Sequence, residues 1–306
     1  MLQFQPVGFG QRVVETSLGV MAYYTPASFP WRNGSSSEDL PPLVFLHSLG
    51  GGSSAFEWSK VYPAFAFTHR VIAPDLIGWG QSAHPARNYR VEDYFEVITQ
   101  LLETVVQQPL VVVASSLTAG VVIRLAIARP DLFKGLFLVS PSGNSDFGRN
   151  YRFSLPAQLA GTPGLDQLIY SLGAANETAV TNFLSTFLFA NPARITPDIV
   201  QAYLAGTQQP RAEYSALASL RGDIAFDLSL YLGQLTTPTV FVWGEASRFS
   251  PPAIGKRLAS LNPKAVEQVY EIPDAGVLVH LEHPGVVVGL LDEFLHRVYS
   301  ASATAH

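Results

Sequence analysis

Residues 110–120 read LVVVASSLTAG, and this stretch decides the fold. The valine-rich run predicts a buried strand, and the residues after it continue as a helix. A strand that turns into a helix at a serine with small neighbours is a nucleophile elbow, which holds the serine hydroxyl exposed. The register makes Ser116 the elbow serine, with Ala114 and Thr118 where glycine is usual. A serine pair that simply caps the helix is the alternative interpretation.

Compact apolar runs alternate with helical patterns on both sides of this turn. The predicted strands are Leu43–His47, Arg70–Pro74, Leu110–Ala114, Gly135–Val139, Thr239–Trp243 and Val266–Ile272. The predicted helices are Ala55–Ala66, Val91–Val106, Leu117–Ala128, Pro251–Leu261 and Gly285–Tyr299. Near the N-terminus, Arg12–Ser17 and Val20–Thr25 read as a hairpin. The pattern predicts a three-layer α/β fold whose mostly parallel sheet begins with an antiparallel hairpin.

One segment interrupts the alternation. Residues 144–235 contain several amphipathic stretches and no convincing strand. Thr196 followed by Pro197 is a helix start, because threonine can cap and proline fits the first turn. We therefore predict a core of residues 1–143 and 236–306 with a helical lid, 144–235, over the carboxyl ends of the strands, where open α/β sheets bind ligands. The alternative is that this insertion simply adds to the hydrophobic core of the domain.

Composition excludes several functions. The 306 residues include 24 acidic and 19 basic side chains, a net charge of −5, and no cysteine. Thiolate nucleophiles and Cys-ligated metal sites are therefore absent, and an acidic chain offers no basic surface for nucleic acid. We find no metal or cofactor motif, no signal peptide and no apolar run of about 18 residues. These features predict a cytoplasmic protein with no cofactor and no transmembrane segment.

Four further motifs occur in order along the chain. Residues 47–52 read HSLGGG, 75–82 read DLIGWGQS, 243–245 read WGE and 273–284 read PDAGVLVHLEHP. Together with the elbow they resemble the α/β-hydrolase fold superfamily, from about Val13 to Tyr299. The resemblance implies a serine hydrolase of the esterase type, with an oxyanion hole formed by the amides of Leu49 and Leu117 and a structural role for His47.

The chain departs from the family pattern at three positions. The catalytic histidine should directly follow the glycine of the last loop, where this chain has Val277. The catalytic acid should stand where Ser247 stands, and Ser48 replaces a usual glycine. A valine cannot accept a proton, and an unassisted serine hydroxyl is a poor nucleophile at neutral pH. We therefore predict a degenerate triad in which only Ser116 is retained.

Other side chains are candidates to replace the missing partners. His280 follows Val277 by three residues, so on a helix it would be displaced by about 4.5 Å. Asp146, after the strand that ends near Val139, and Glu245 are candidate acids. His280 is more simply a structural residue, and Asp146 a turn residue.

Three functions fit these observations. The first is a lapsed or repurposed hydrolase that binds a small apolar ligand under the lid. The second is an active serine hydrolase acting on an ester or similar acyl substrate with a relocated base such as His280. The third is a structural or partner-binding protein that uses the apolar lid. The superfold alone cannot decide among them.

Overall fold

The computed structural model describes residues 4–31, 39–151, 158, 170 and 176–303. Much of the first half of the predicted lid, 152–157, 159–169 and 171–175, therefore lies outside the described residues. An eight-stranded sheet has the order β1-β2-β4-β3-β5-β6-β7-β8. The strands are β1 (Phe9–Thr16), β2 (Gly19–Pro26), β3 (Pro42–Leu46), β4 (Arg70–Pro74), β5 (Leu110–Ser115), β6 (Phe133–Val139), β7 (Thr239–Gly244) and β8 (Val266–Ile272).

The sheet has the predicted mixture of strand directions. β1 pairs antiparallel with β2, and β2 pairs antiparallel with β4. Every other pairing, from β4 through β3 and β5 to β8, is parallel. The predicted mostly parallel sheet with an N-terminal hairpin is confirmed. Because parallel strands are covered by helices on both faces, β3, β5 and β7 are buried throughout.

Helices cover both faces of the sheet. The α-helices of the described residues, including those that do not lie on the sheet, are α1 (Val91–Leu101), α2 (Ser116–Ala128), α3 (Glu177–Phe183), α4 (Pro197–Thr207), α5 (Ala212–Arg221), α6 (Pro252–Ala259), α7 (Val279–Glu282) and α8 (Pro284–Ala303). Alternate residues of a strand serve opposite faces: Val112 and Ala114 pack in the cluster with α1 and α2, and Val111 and Val113 in the cluster with α8. This arrangement gives the predicted three layers.

Two predicted helices differ in the structure. The single helix predicted over Ala55–Ala66 is two 3₁₀ turns, Ala55–Trp58 and Tyr62–Phe65. Pro63 explains the break, because its ring cannot donate the hydrogen bond that a continuous helix requires. The helix predicted over Val91–Val106 leaves α-geometry at Leu102 and ends in one π turn before left-handed Gln107.

Helices α3, α4 and α5 lie between β6 and β7 in the chain. A third apolar cluster joins this segment to the core, with Leu184, Phe189 and Ile199 from the segment and Phe56 and Leu278 from the core. The helical segment is therefore packed on the loops that follow β3 and β8.

Candidate active site

The turn from β5 into α2 has the geometry of an elbow. Ser116 has φ of 53°, in the left-handed region that non-glycine residues rarely adopt. Its side chain is half-buried, whereas that of Ser115 is fully buried. Ser115 occupies the N-cap position of α2 without a capping hydrogen bond from its side chain. The alternative interpretation, a serine pair present for capping, therefore has no hydrogen bond to support it.

Neighbouring residues let the elbow pack tightly. Ala114 and Thr118 are both buried without exposure. A side chain at Gly120 would come within 2.5 Å of the Ser142 carbonyl oxygen. The glycine thus allows α2 to lie directly against the loop after β6.

One predicted oxyanion amide lies in the first turn of α2 and the other in the loop after β3. Leu117 is in the first turn of α2, where N–H groups have no partner within the helix. Leu49 is buried in the loop after β3, and its carbonyl accepts a hydrogen bond from Ser219 Oγ at 2.7 Å. Ser219 belongs to α5, so the segment between β6 and β7 is hydrogen-bonded to the loop that carries the predicted oxyanion amide of Leu49.

His47 has the contacts of a structural residue. Its Nε2 accepts a hydrogen bond from the Leu76 amide at 2.9 Å, so Nδ1 carries the proton and donates to the Ser48 carbonyl at 2.6 Å. Both nitrogens are used to join the loops after β3 and β4. His47 therefore has no free nitrogen with which to act as a base.

Val277 and Ser247 are buried beneath the segment that follows α3. The Val277 amide donates to the Leu188 carbonyl at 2.9 Å. Next to Ser247, the Arg248 guanidinium donates to the carbonyls of Ser185 and Thr186, both at 3.2 Å. Among the described residues, Ser247 Oγ accepts one long hydrogen bond, from the Ser250 amide at 3.4 Å. Neither predicted triad-partner position presents a titratable side chain to the elbow.

Glu282 fastens the same segment to the loop of Val277. Its buried carboxylate accepts hydrogen bonds from the amides of Ala190, Asn191 and Gly276 at 2.5 to 3.1 Å. The Arg194 guanidinium lies 3.5 Å from the same carboxylate. The backbone of the loop is thus fixed by a charged side chain that is itself fully satisfied.

His280 is fully buried and stacks on the indole of Trp58. Helix α7 begins at Val279 instead of directly after Gly276, so the displacement estimated for a continuous helix does not apply. Neither ring nitrogen has a hydrogen-bond partner in the described part of the chain. Burial lowers the pKa of His280 to about 4, with the nearby Glu57 opposing the shift.

The two candidate acids, Asp146 and Glu245, show no hydrogen bond to a histidine among the described residues. Asp146 accepts hydrogen bonds from Ser142 Oγ and from the amides of Gly143 and Leu228, joining the two ends of the 144–235 segment. Burial raises the pKa of Asp146. The side chain of Glu245 is exposed.

A buried polar cluster around Glu57 escaped the sequence analysis. Glu57 has no exposure, and its carboxylate accepts hydrogen bonds from Ser48 N, Ser48 Oγ and Tyr203 OH, each at 2.8 Å. His280 Nε2 lies 4.0 Å from the same carboxylate, and Ser53 Oγ 2.8 Å from Ser48 Oγ. Two features of the sequence could have indicated this cluster: Ser48 in place of the usual glycine, and a single acidic residue in the apolar run 55–58.

The described residues contain neither a metal-binding cluster nor a membrane-spanning helix. Within them, no group of three or more histidine, aspartate or glutamate side chains could hold a metal ion. None of the helices described here is long and apolar enough to cross a bilayer.

Comparison with known proteins places the chain in a family. The family model of the alpha/beta hydrolase fold matches residues 41–284, so the chain belongs to this family. An uncharacterized hydrolase, YugF of Bacillus subtilis (strain 168), is 26% identical over 282 residues, covering 90% of this chain and 95% of YugF.

Solved structures show the same fold. Carboxylesterase CesB (YbfK) from Bacillus subtilis superposes with a TM-score of 0.74 at 19% identity, covering 95% of this chain and 93% of the esterase. The DbeA-M1 loop variant of haloalkane dehalogenase from Bradyrhizobium elkanii gives 0.76 at 21% identity, covering 97% and 100%.

Proposed function

We propose that this chain is a repurposed member of the α/β-hydrolase family that binds a small apolar molecule near Ser116 and lacks ordinary triad catalysis. One observation carries the proposal: within the described residues, no histidine nitrogen is hydrogen-bonded to Ser116 Oγ. A serine without a general base stays protonated and weakly nucleophilic.

The ligand chemistry follows from the surroundings of the elbow. Leu49, Leu117 and Val277 are buried apolar side chains at the predicted site. The segment between β6 and β7 adds the apolar cluster around Leu184 and Phe189, and serves as the lid in this proposal. A site lined in this way favours an apolar molecule with few hydrogen-bonding groups.

A fluorophosphonate probe tests the proposal directly. We expect no labelling of Ser116 and no hydrolysis of p-nitrophenyl acetate above the rate of the Ser116→Ala variant. A fluorescent apolar dye should bind both proteins alike. Labelling at Ser116, together with ester hydrolysis that Ser116→Ala abolishes, would overturn the proposal.

An active serine hydrolase is the second candidate, favoured by one contact. His280 Nε2 lies 4.0 Å from Glu57 Oε2, an acid beside a histidine as in a catalytic pair. This candidate requires a rearrangement that brings the ring of His280 to Ser116. It predicts probe labelling that is lost in His280→Phe, whereas the first proposal predicts no labelling in either protein.

A further inference from the structure

A cleft of about 530 Å³ is lined by residues other than those of the candidate active site. It opens between the N-terminal segment with β1, the loop after β4, and helix α4. None of Leu49, Ser116, Leu117, Ser247 and Val277 lines it. Its volume lies within the range of about 300 to 1,000 Å³ typical of small-molecule sites.

The wall of the cleft is held by a buried carboxyl group. Asp75 is only 1% exposed, and accepts hydrogen bonds from the amides of Ala55 and Gln81 and from Tyr24 OH. Burial raises the pKa of Asp75. Since the carboxyl is enclosed and already bonded, it fixes the wall and offers no exposed charge for a cationic ligand.

Two amide side chains along the cleft are unused. Gln11 and Gln81 are exposed, and neither side-chain amide makes a hydrogen bond within the part of the chain that the structure describes. Each amide offers two N–H donors and one carbonyl acceptor. Hydroxyl groups, which donate and accept at once, match such amides.

The rest of the lining combines polar groups with apolar or small ones. The polar side chains are Gln5, Tyr24 and Ser54; the Gln5 carbonyl oxygen already accepts a hydrogen bond from Tyr62 OH, and Tyr24 OH donates to Asp75. Phe4 and Phe9 contribute aromatic rings, and Ala202, Ala205 and Gly206 of α4 contribute a surface of small residues. Among the described lining residues there is no lysine, arginine or histidine, so nothing in the lining attracts an anion. The C–H face of a sugar ring can pack against such a surface while its hydroxyls reach the amides.

We propose that this cleft is a second binding site, which takes a small uncharged polyhydroxylated molecule of monosaccharide size. Gln11 and Gln81 bind its hydroxyl groups, and α4 packs against its C–H face. The site stands independently of the function proposed for Ser116.

Saturation-transfer NMR on the full chain tests the site, with glucose and galactose as probes and acetate and methylammonium as charged counterparts. We expect saturation of the sugars and not of the ions. The double variant Gln11→Ala/Gln81→Ala should weaken sugar binding about tenfold, the effect of losing two neutral hydrogen bonds. Gln268→Ala, on exposed β8, is the matched control and should bind as the unsubstituted protein does.

Alkylation of a thiol introduced into the cleft tests whether the sugar binds there. The chain has no cysteine, so Ala205→Cys places a single thiol in the cleft. We expect sugar binding before alkylation with N-ethylmaleimide and its loss afterwards, in a variant whose circular dichroism is unchanged. Absence of sugar saturation above that of a protein-free sample, with the sugar in excess over the protein, would overturn the proposal. Binding that neither the double variant nor alkylation affects would overturn it as well.

Discussion

His280 lies face to face on the indole ring of Trp58, with ring centroids 3.9 Å apart and planes inclined by 16°. Trp58 Nε1 is used elsewhere, donating to the Leu46 carbonyl at 2.9 Å. The imidazole thus packs on the indole face, its Nε2 lies 4.0 Å from the Glu57 carboxylate, and neither ring nitrogen has a hydrogen-bond partner among the described residues. A neutral apolar ring would suit this position better than histidine does.

Replacing His280 by phenylalanine should stabilise the fold. Phenylalanine keeps the stacking on Trp58 and removes the unpartnered nitrogens, each of which costs about 1–3 kcal/mol when buried. We expect the free energy of unfolding at pH 7.5 to rise by about 1–2 kcal/mol, measured by urea denaturation. Loss of stability would indicate that the nitrogens have partners, such as bound water.

The same variant should reduce the dependence of stability on pH. The pKa of His280 is lowered from 6.5 to about 4. Below pH 6.5 the unfolded chain binds a proton that the folded chain refuses until near pH 4, so stability falls as pH falls across this window. His280→Phe should lose that part of the slope. The pKa of buried His69 is also lowered to about 4, so the pH dependence that His69 contributes should remain in this variant.

Exposed Gln268 on β8 provides the control for this pH experiment. Gln268→Ala changes no titratable group and should leave the slope between pH 6.5 and 4 unchanged. Equal slopes in the unsubstituted chain and His280→Phe would contradict the assignment of His280 as a buried neutral side chain.

Glu57 and Tyr203 should be energetically coupled. Tyr203 OH donates to the Glu57 carboxylate at 2.8 Å, with both side chains fully buried. We expect Tyr203→Phe and Glu57→Gln each to destabilise the fold by about 1–3 kcal/mol. The double variant should cost less than the sum, with a coupling energy of about 1 kcal/mol or more from a double-mutant cycle. Additive losses would show that the hydrogen bond contributes nothing.

The elbow should store backbone strain at Ser116. Its positive φ suits glycine and disfavours a residue with a Cβ. We expect Ser116→Gly to be more stable than Ser116→Ala by about 1 kcal/mol, from paired thermal unfolding curves. Both variants lack the serine hydroxyl, so the difference between their stabilities reports the backbone strain alone. Equal stability would mean that the turn relaxes once the serine is removed.

Restoring the two predicted triad partners should create activity. In Val277→His/Ser247→Asp, the positions that the family resemblance assigns to base and acid carry those groups again. We expect kcat/KM for p-nitrophenyl acetate to rise at least about tenfold, since general-base assistance contributes roughly 10² or more. The gain should vanish when Ser116→Ala is added. A gain that survives this third substitution would place the chemistry elsewhere.

Most of the fold could be read from the sequence because its strands are short, apolar and buried on both faces. Arg70–Pro74 and Val266–Ile272 were predicted with the observed bounds. The single helix predicted over Ala55–Ala66 was wrong, because Pro63 interrupts the helix although the apolar spacing favours one. Local patterns thus determine the elements, and single backbone-restricting residues determine where they break.

The candidate site was less predictable, because its polar contacts join distant parts of the chain. The elbow at Ser116 follows from local spacing, whereas Glu57 and Tyr203 are separated by 146 positions. No periodicity links such residues. The environment of His280 likewise depends on Trp58 from another element, so its stacking could not be foreseen.

The backbone of α4 lies directly against the backbone of the loop after β3. A side chain at Gly52 would come within 2.5 Å of the Tyr203 carbonyl oxygen, and one at Gly206 within 2.7 Å of the Gly52 carbonyl oxygen. Neither position has room for a methyl group while the two backbones stay in contact. An alanine at either one would therefore force α4 away from the loop after β3, which carries the predicted oxyanion amide of Leu49.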